Sequence, residues 1–230
     1  SVSKLVPKVK STAKILYSIY LSFTVIEIIL LLIGKMSVFD ALTTTFGTAG
    51  TGGFGVKNSS MADYSPYIQN VVTVFMLIFG VDFSIYYLLL VKKFSSAVKS
   101  TELRTYLGIV LTSAIIIAFN CRHLFANIWT ALHHAFFQVA SLMTTTGYAT
   151  ANFDTWPSLS KAILLTLMFI GACAGSTGGG IKVSRIVILV KSIFKEIRIT
   201  AHPKSTLKIT MNGNVIEHET LRAVNVYMAG

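Results

Sequence analysis

Four long apolar runs, separated by short basic connections, constrain this chain more than any other feature. Residues 15–33 carry one charge, Glu27. At 1.5 Å rise per residue this run reaches about 28 Å, enough to cross a hydrocarbon core of about 30 Å. Residues 67–91 carry only Asp82, residues 105–121 carry no charge, and residues 160–190 form the fourth run. As one helix the fourth would reach about 46 Å, well beyond the hydrocarbon, so it must be interrupted. The interruption is legible as Gly171-Ala-Cys173-Ala-Gly175-Ser176-Thr177-Gly178-Gly179-Gly180, where glycine's backbone entropy opposes a helix. With 13% charged residues against about 25% for a soluble domain, the expected class is an all-α polytopic membrane protein. Opening on Ser and stopping at Gly230 inside a new apolar stretch, the chain reads as a piece of a longer protein.

The net charge of +11 would suit nucleic acid, but its distribution argues for lipid. Lys4, Lys8, Lys10 and Lys14 precede the first run, and Lys92, Lys93, Lys99 and Arg104 separate the second from the third. Lys182, Arg185, Lys191, Lys195, Arg198, Lys204, Lys208 and Arg222 follow the break in the fourth. By the positive-inside rule these connections are cytoplasmic, and residues 34–66 and 122–159 face the opposite compartment. Trp129 and Trp156 suit interfacial anchoring. Cys121 and Cys173 have no metal-ligand spacing, and His133 and His134, adjacent on one helix, point to different faces.

Both outer connections contain the same pattern. Phe39-Asp-Ala-Leu-Thr-Thr-Thr-Phe46-Gly-Thr-Ala-Gly50-Thr51-Gly52-Gly53-Phe54-Gly55 lies over His133-His-Ala-Phe-Phe-Gln-Val-Ala140-Ser-Leu-Met-Thr144-Thr145-Thr146-Gly147-Tyr148-Ala149 at a constant offset of 94. Further on, Phe79-Gly80 answers Ile170-Gly171. The unit is span, short helix, Thr/Gly loop, span, present twice in the same orientation, a known way to build a transport site. The short helices begin at the Ser37-Val-Phe-Asp40 capping box and at Asn127. As re-entrant half-helices they would aim partially negative C-termini into the membrane, favouring a cation. Irregular backbone at that depth must be buried or line a wet cavity, and carbonyls of Thr51-Gly52-Gly53 and Thr145-Thr146-Gly147 could satisfy themselves on a dehydrated ion. Ordinary turns between spans are the plainer alternative, made less economical by the repetition.

Other motifs are weaker. Gly50–Gly55 matches GxGxxG without the strand that a dinucleotide site requires, and Gly175–Lys182 is a P-loop with one residue too many. No residue arrangement suggests catalysis, so the chain is not expected to be an enzyme. Gly171, Gly175, Ser176, Thr177, Gly178, Gly179 and Gly180 could form a gate, or merely a kink that lets helices approach. Asp82 could face an inner cavity, pair with a lysine or cap a kink, whereas Glu27 reads as an interhelical partner. Lys182 and Arg185 could oppose the loop's closed state or simply anchor the span end.

Phe136-Phe-Gln-Val-Ala-Ser141 leading to Thr144-Thr-Thr-Gly147-Tyr148, then Trp156-Pro157, Gly171–Arg185 and His202-Pro203, closely resembles the Trk-type potassium uptake family, specifically its TrkH/TrkG-like membrane subunit. The resemblance is tight over 136–203 and looser at 44–55 and 80–87. It implies potassium channel-like units, four to a chain, around a pseudo-fourfold pore. Residues 1–100 and 101–200 would be two pore units, with spans 15–33, 67–91, 105–121 and 160–190 and with pore helix and filter at 37–55 and 127–148. Residues 201–230 would be a cytoplasmic connection and the start of a further unit. It further implies potassium held by Thr51, Gly52, Gly53, Thr145, Thr146 and Gly147, with Gly53 and Gly147 as filter glycines. Gly171–Gly180 would be the gate, and no organic cofactor is implied in this chain. The setting implied is a bacterial inner membrane, with a homodimer and a cytosolic nucleotide-binding regulatory subunit as partners. The loop from Gly50 to Gly55 is more glycine-rich than the family's usual pattern. Three alternatives remain: two copies pairing to supply four loops, an alternating-access cation-coupled transporter with a site at the broken helix, and a non-transporting membrane scaffold.

Overall fold

A computed structural model describes residues 5–201, 210–211 and 214–215. It is nearly all helical, and one order of elements, a long helix, a short helix and two further helices, occurs twice. The first comprises α1 (Leu5–Ile33), the short α2 (Val38–Ala49), α3 (Pro66–Phe79) and α4 (Phe83–Leu90). A brief α5 (Phe94–Val98) leads to the second: α6 (Thr101–Cys121), α7 (Ile128–Met143), α8 (Ser158–Phe169) and α9 (Val183–Ala201). Most of the 201–230 segment lies outside the described residues, apart from the paired strands β1 (Thr210–Met211) and β2 (Asn214–Val215).

Among the described residues, two helices are long and apolar enough to cross a membrane, Ser11–Ile33 and Thr101–Leu124. The expected continuous span at 67–91 is instead two helices bent by 90°. Its breaking point has local causes. Met76 O accepts from Gly80 N, ending α3, and the Asp82 carboxylate accepts from Ser84 N, starting α4 as an N-cap. Of the readings open for Asp82, the structure shows the kink cap. The apolar run at 160–190 holds two helices, α8 ending at Phe169 and α9 beginning at Val183. Both units therefore break their second span at the aligned pair, Phe79-Gly80 and Ile170-Gly171.

Both short helices are capped as their sequences suggest. Ser37 Oγ accepts from Asp40 N at 3.1 Å, and Asn127 Oδ1 accepts from Thr130 N at 2.8 Å. The Asp40 carboxylate does not close a capping box; it accepts from the Tyr64 hydroxyl at 2.9 Å. Burial, then that neighbouring carboxylate, pushes the Tyr64 hydroxyl up to about 12, so it remains a donor at neutral pH.

Within each unit the first helix packs on the short helix, and α3 packs across α7 to join the units. Buried Phe137, Ala140 and Tyr148 from the second unit share a core with Leu31, Ala41, Ile68, Val72 and Met76 of the first. Tyr20, Phe23, Phe79, Phe83 and Tyr86 brace the bend with edge-on and tilted ring contacts. Trp129 is 76% exposed, as an interfacial anchor would be, but Trp156 is 3% exposed and packs edge-on against Phe125. It is a core residue, because the connection after the second loop folds back over α6 and α7.

Gln69, buried at 4% exposure, fastens the first outer connection: its Nε2 donates to Met61 O, Ala62 O and Tyr64 O. With that nitrogen committed, its oxygen accepts from His133 Nε2 at 2.6 Å. Gln69→Leu would leave Ala62 O and Tyr64 O unpaired at about 1–3 kcal/mol each, while Met61 O keeps its bond from Tyr64 N. It should lower the thermal unfolding midpoint of the detergent-solubilised protein by several degrees, and an unchanged midpoint would contradict the assignment.

Candidate functional site: two aligned loops and the loop beneath them

The two Thr/Gly loops follow the C-termini of α2 and α7 and have the same backbone. Thr51 N, Gly52 N and Gly53 N donate to Thr48 O, Gly47 O and Gly47 O at 3.2, 2.8 and 3.5 Å. Thr145 N, Thr146 N and Gly147 N donate to Leu142 O, Ser141 O and Ser141 O at 3.1, 2.9 and 3.3 Å. Every donor and acceptor corresponds at the offset read from the sequence. The amides are thus turned back onto the preceding helix. Among the described residues no hydrogen bond ends on the carbonyl oxygens of 51–53 or 145–147.

Backbone hand alternates in the same places. Thr51 (φ 52°) and Gly53 (φ 67°) are left-handed, as are Thr145 (φ 59°) and Gly147 (φ 95°), whereas Gly52 and Thr146 are not. Alternating hand turns successive peptide planes so that neighbouring carbonyls can face one side. A β-branched residue at positive φ is a genuine outlier, costing about 1–3 kcal/mol, and such strain collects at functional sites. Finding it at both aligned threonines makes it a property of the unit.

The loops lie against each other and are clamped from outside. A side chain on Gly53 would run into the Thr146 carbonyl and lie 3.2 Å from Gly147 Cα, whereas one on Gly147 would meet nothing within 4 Å. Tyr148 OH donates to Thr44 O of the first short helix at 3.1 Å, and Ser141 Oγ donates to Tyr148 O at 2.6 Å. Met61 N donates to Ala149 O at 2.9 Å, and Ser60 Oγ accepts from Ala149 N at 3.1 Å. The outer connection of one unit thereby holds the loop of the other. Glu27 is wholly buried beside Thr48 of α2, an interhelical position, with neither carboxyl oxygen hydrogen-bonded among the described residues. His133 bonds Gln69 and Asn70 while His134 bonds Thr150, so the two rings engage separate partners.

Beneath these loops the segment between α8 and α9 forms a tongue with a zipped base. Gly171 N donates to Ile181 O, Ile181 N to Phe169 O, and Val183 N to Ala172 O. The tongue fits into the bend of the other unit: Cys173 N donates to Gly80 O, Thr177 N to Phe79 O, and Phe83 N to Gly175 O. Gly175, at φ 78°, must lack a side chain because a Cβ would sit 2.6 Å from Asp82 Oδ1. The tip reaches the Thr/Gly loops. Gly179 N donates to Thr145 Oγ1 at 2.7 Å, and Thr51 Oγ1 donates to Thr177 O at 3.3 Å. Lys182 Nζ bonds back to Gly178 O. Of the seven residues singled out between Gly171 and Gly180, Thr177 and Gly179 bond to the loops, at Thr51 and Thr145, while Gly171 lies at the zipped base and Gly175 against Asp82.

One residue escaped sequence reasoning. Glu102, in the first turn of α6 and 7% exposed, accepts from Ala174 N at 2.6 Å and from Ser184 N at 3.1 Å, both through Oε1. An acidic residue in a helix's first turn is so ordinary that nothing local marks it; only its burial beside the tongue distinguishes it.

Half-helices aimed at strained loops with unpaired carbonyls, flanked by spanning helices, define a membrane protein with pore-loop units. The comparisons specify the family. The family described as TrkH, cation transport protein, matches residues 3–226, and the chain belongs to it. The Trk system potassium uptake protein TrkH of Salmonella typhimurium is 34% identical over 226 residues, covering 96% of this chain and 47% of that protein. TrkG of Escherichia coli K12 is 30% identical over 224 residues. The crystal structure of the potassium transporter TrkH from Vibrio parahaemolyticus superposes with a TM-score of 0.88 at 31% identity, covering 97% of this chain and 49% of that one. The chain spans about half the length of these relatives.

Gly53 and Gly147 differ in a way that stability measurements can read. Gly53→Ala meets both an adverse φ and a neighbouring carbonyl, whereas Gly147→Ala meets the adverse φ alone. Thermal unfolding in detergent should therefore fall further for Gly53→Ala, and the reverse order would contradict this packing.

Proposed function

We propose that the chain supplies two pore units of a potassium uptake protein, whose ion path is lined by carbonyls of Thr51, Gly52, Gly53, Thr145, Thr146 and Gly147. The observation that carries this reading is the matched set of amide bonds and φ signs, which leaves six carbonyls without partners among the described residues, in a setting where unpaired carbonyls cost several kcal/mol. A dehydrated monovalent cation is the partner that such a ring accepts, and the C-terminal ends of α2 and α7 add favourable potential. Two further units of the same kind would complete the ring, consistent with relatives about twice as long. The names of those relatives, Trk system potassium uptake proteins, support potassium as the ion.

In this reading the protein lies in a bacterial inner membrane, surrounded by lipid and with its basic connections in the cytoplasm. The membrane potential drives entry with about 2.3 kcal/mol per charge per 100 mV. It works as a homodimer with a cytosolic nucleotide-binding regulatory subunit, makes no covalent change to its cargo and needs no organic cofactor. The tongue at 171–180 is the gate. Docked, it engages the threonine hydroxyls at the base of both loops; withdrawn, it frees them and opens the way inward.

Two substitutions in the intact transporter test these roles separately. Gly147→Ser places a side chain in open space at φ 95° and should abolish growth of a potassium-requiring host on limiting potassium while the protein still reaches the membrane; undiminished growth would contradict the filter. Gly179→Ala sets a Cβ 3.0 Å from Thr145 Oγ1 and loosens docking. Rubidium flux through unstimulated proteoliposomes should rise severalfold with unchanged potassium-over-sodium preference, and unchanged flux in all regulatory states would contradict the gate.

A further inference from the structure

The tongue has two feet, residues 169–174 leading in and residues 181–184 leading out, and its own backbone bonds zip them together. One side chain from outside the tongue also joins them. Glu102 Oε1 accepts from Ala174 N on the incoming foot and from Ser184 N on the outgoing foot, at 2.6 and 3.1 Å. Ser184 is the second residue of α9, so its amide is one of the donors that a helix start leaves without an intrahelical partner. Ala174 N precedes the left-handed Gly175, where the tongue turns away from its base. The acceptor is therefore placed where the fixed feet give way to the free tip. Glu102 belongs to α6 and directly follows the connection at 92–100, so displacement of that end of α6 reaches both feet at once.

We propose that Glu102 is the positioning residue through which α6 holds the tongue in its docked state, acting as a hydrogen-bond acceptor shared by both feet. This inference rests on the reading of 171–180 as the gate. Its loss frees the feet together, and the tip then leaves Thr145 and Thr51. A hydrogen bond between neutral groups is worth a factor of about two to ten in an equilibrium, and Glu102 accepts two, which sets the expected scale. The role requires an acceptor at Oε1 and no second oxygen, so glutamine serves in place of glutamate, whereas methionine, similar in length and without a strong acceptor, does not.

The experiment compares E102Q, E102M and Gly179→Ala in the intact transporter, reading rubidium flux in unstimulated proteoliposomes and the potassium-over-sodium ratio. E102M should raise flux about tenfold with the ion ratio unchanged, and E102Q should stay within about twofold of the parent. If E102Q behaves as E102M does, or if neither changes flux while Gly179→Ala does, the inference is overturned and the gate stands. If none of the three changes flux, the gate itself falls. Should E102M fail to accumulate, Ser184→Pro removes one of the two donors within a helix's first turn, where proline is tolerated. It should raise flux by a smaller factor, and parental flux would overturn the inference.

Discussion

A peptide group left without a hydrogen-bond partner inside a bilayer costs several kcal/mol, and this chain has four irregular segments to satisfy, the bend, the tongue and the two Thr/Gly loops. They are handled in two ways. The bend at 80–82 and the tongue at 171–180 satisfy one another, with Gly80 O, Phe79 O and Gly175 O accepting amides across the boundary between units. Neither irregularity is sustainable alone, which is why a break in one span is matched by a break in the other. The Thr/Gly loops follow the same rule on their amide side and depart from it on their carbonyl side. Because all six amides turn back onto their helices, the six carbonyls have no hydrogen-bond partner among the described residues, and in the proposed reading a cation in the path completes the accounting.

Strain is distributed to support that arrangement. Thr51 and Thr145 occupy left-handed backbone that disfavours a β-branched side chain, where glycine would be free of strain. What threonine adds is a hydroxyl, and in both loops that hydroxyl meets the tongue. The cost is borne because bonds from Gly47, Ser141, Tyr148 and Ser60 over-determine the loop geometry. The same two residues therefore hold the strained turns of both loops and the surface on which the tongue docks; in the proposed reading, opening and selectivity share atoms.

Much of this was legible before any coordinates, for identifiable reasons. The offset of 94 carried over to individual hydrogen bonds, because a repeated Thr/Gly pattern behind a capped half-helix leaves few backbone solutions. The 90° bend at Gly80 was less visible: hydropathy continues unbroken across it, and a lone glycine with Asp82 and Ser84 is a faint signal beside the glycine-rich run in the other unit. Trp156 was misplaced because its burial depends on how a connection folds back, which interfacial preference does not encode. Glu102 was invisible for a related reason: its partners lie 72 and 82 residues away and are main-chain amides, which carry no mark of residue type.

The central claim is that the carbonyls of 51–53 and 145–147 replace the water shell of a monovalent cation. Anomalous diffraction from crystals of the intact transporter soaked in rubidium or thallium tests it most directly. The account predicts anomalous peaks on the axis between the two loops, within coordination distance of those oxygens. Loops that close upon each other without peaks, or peaks confined to the surface, would contradict it.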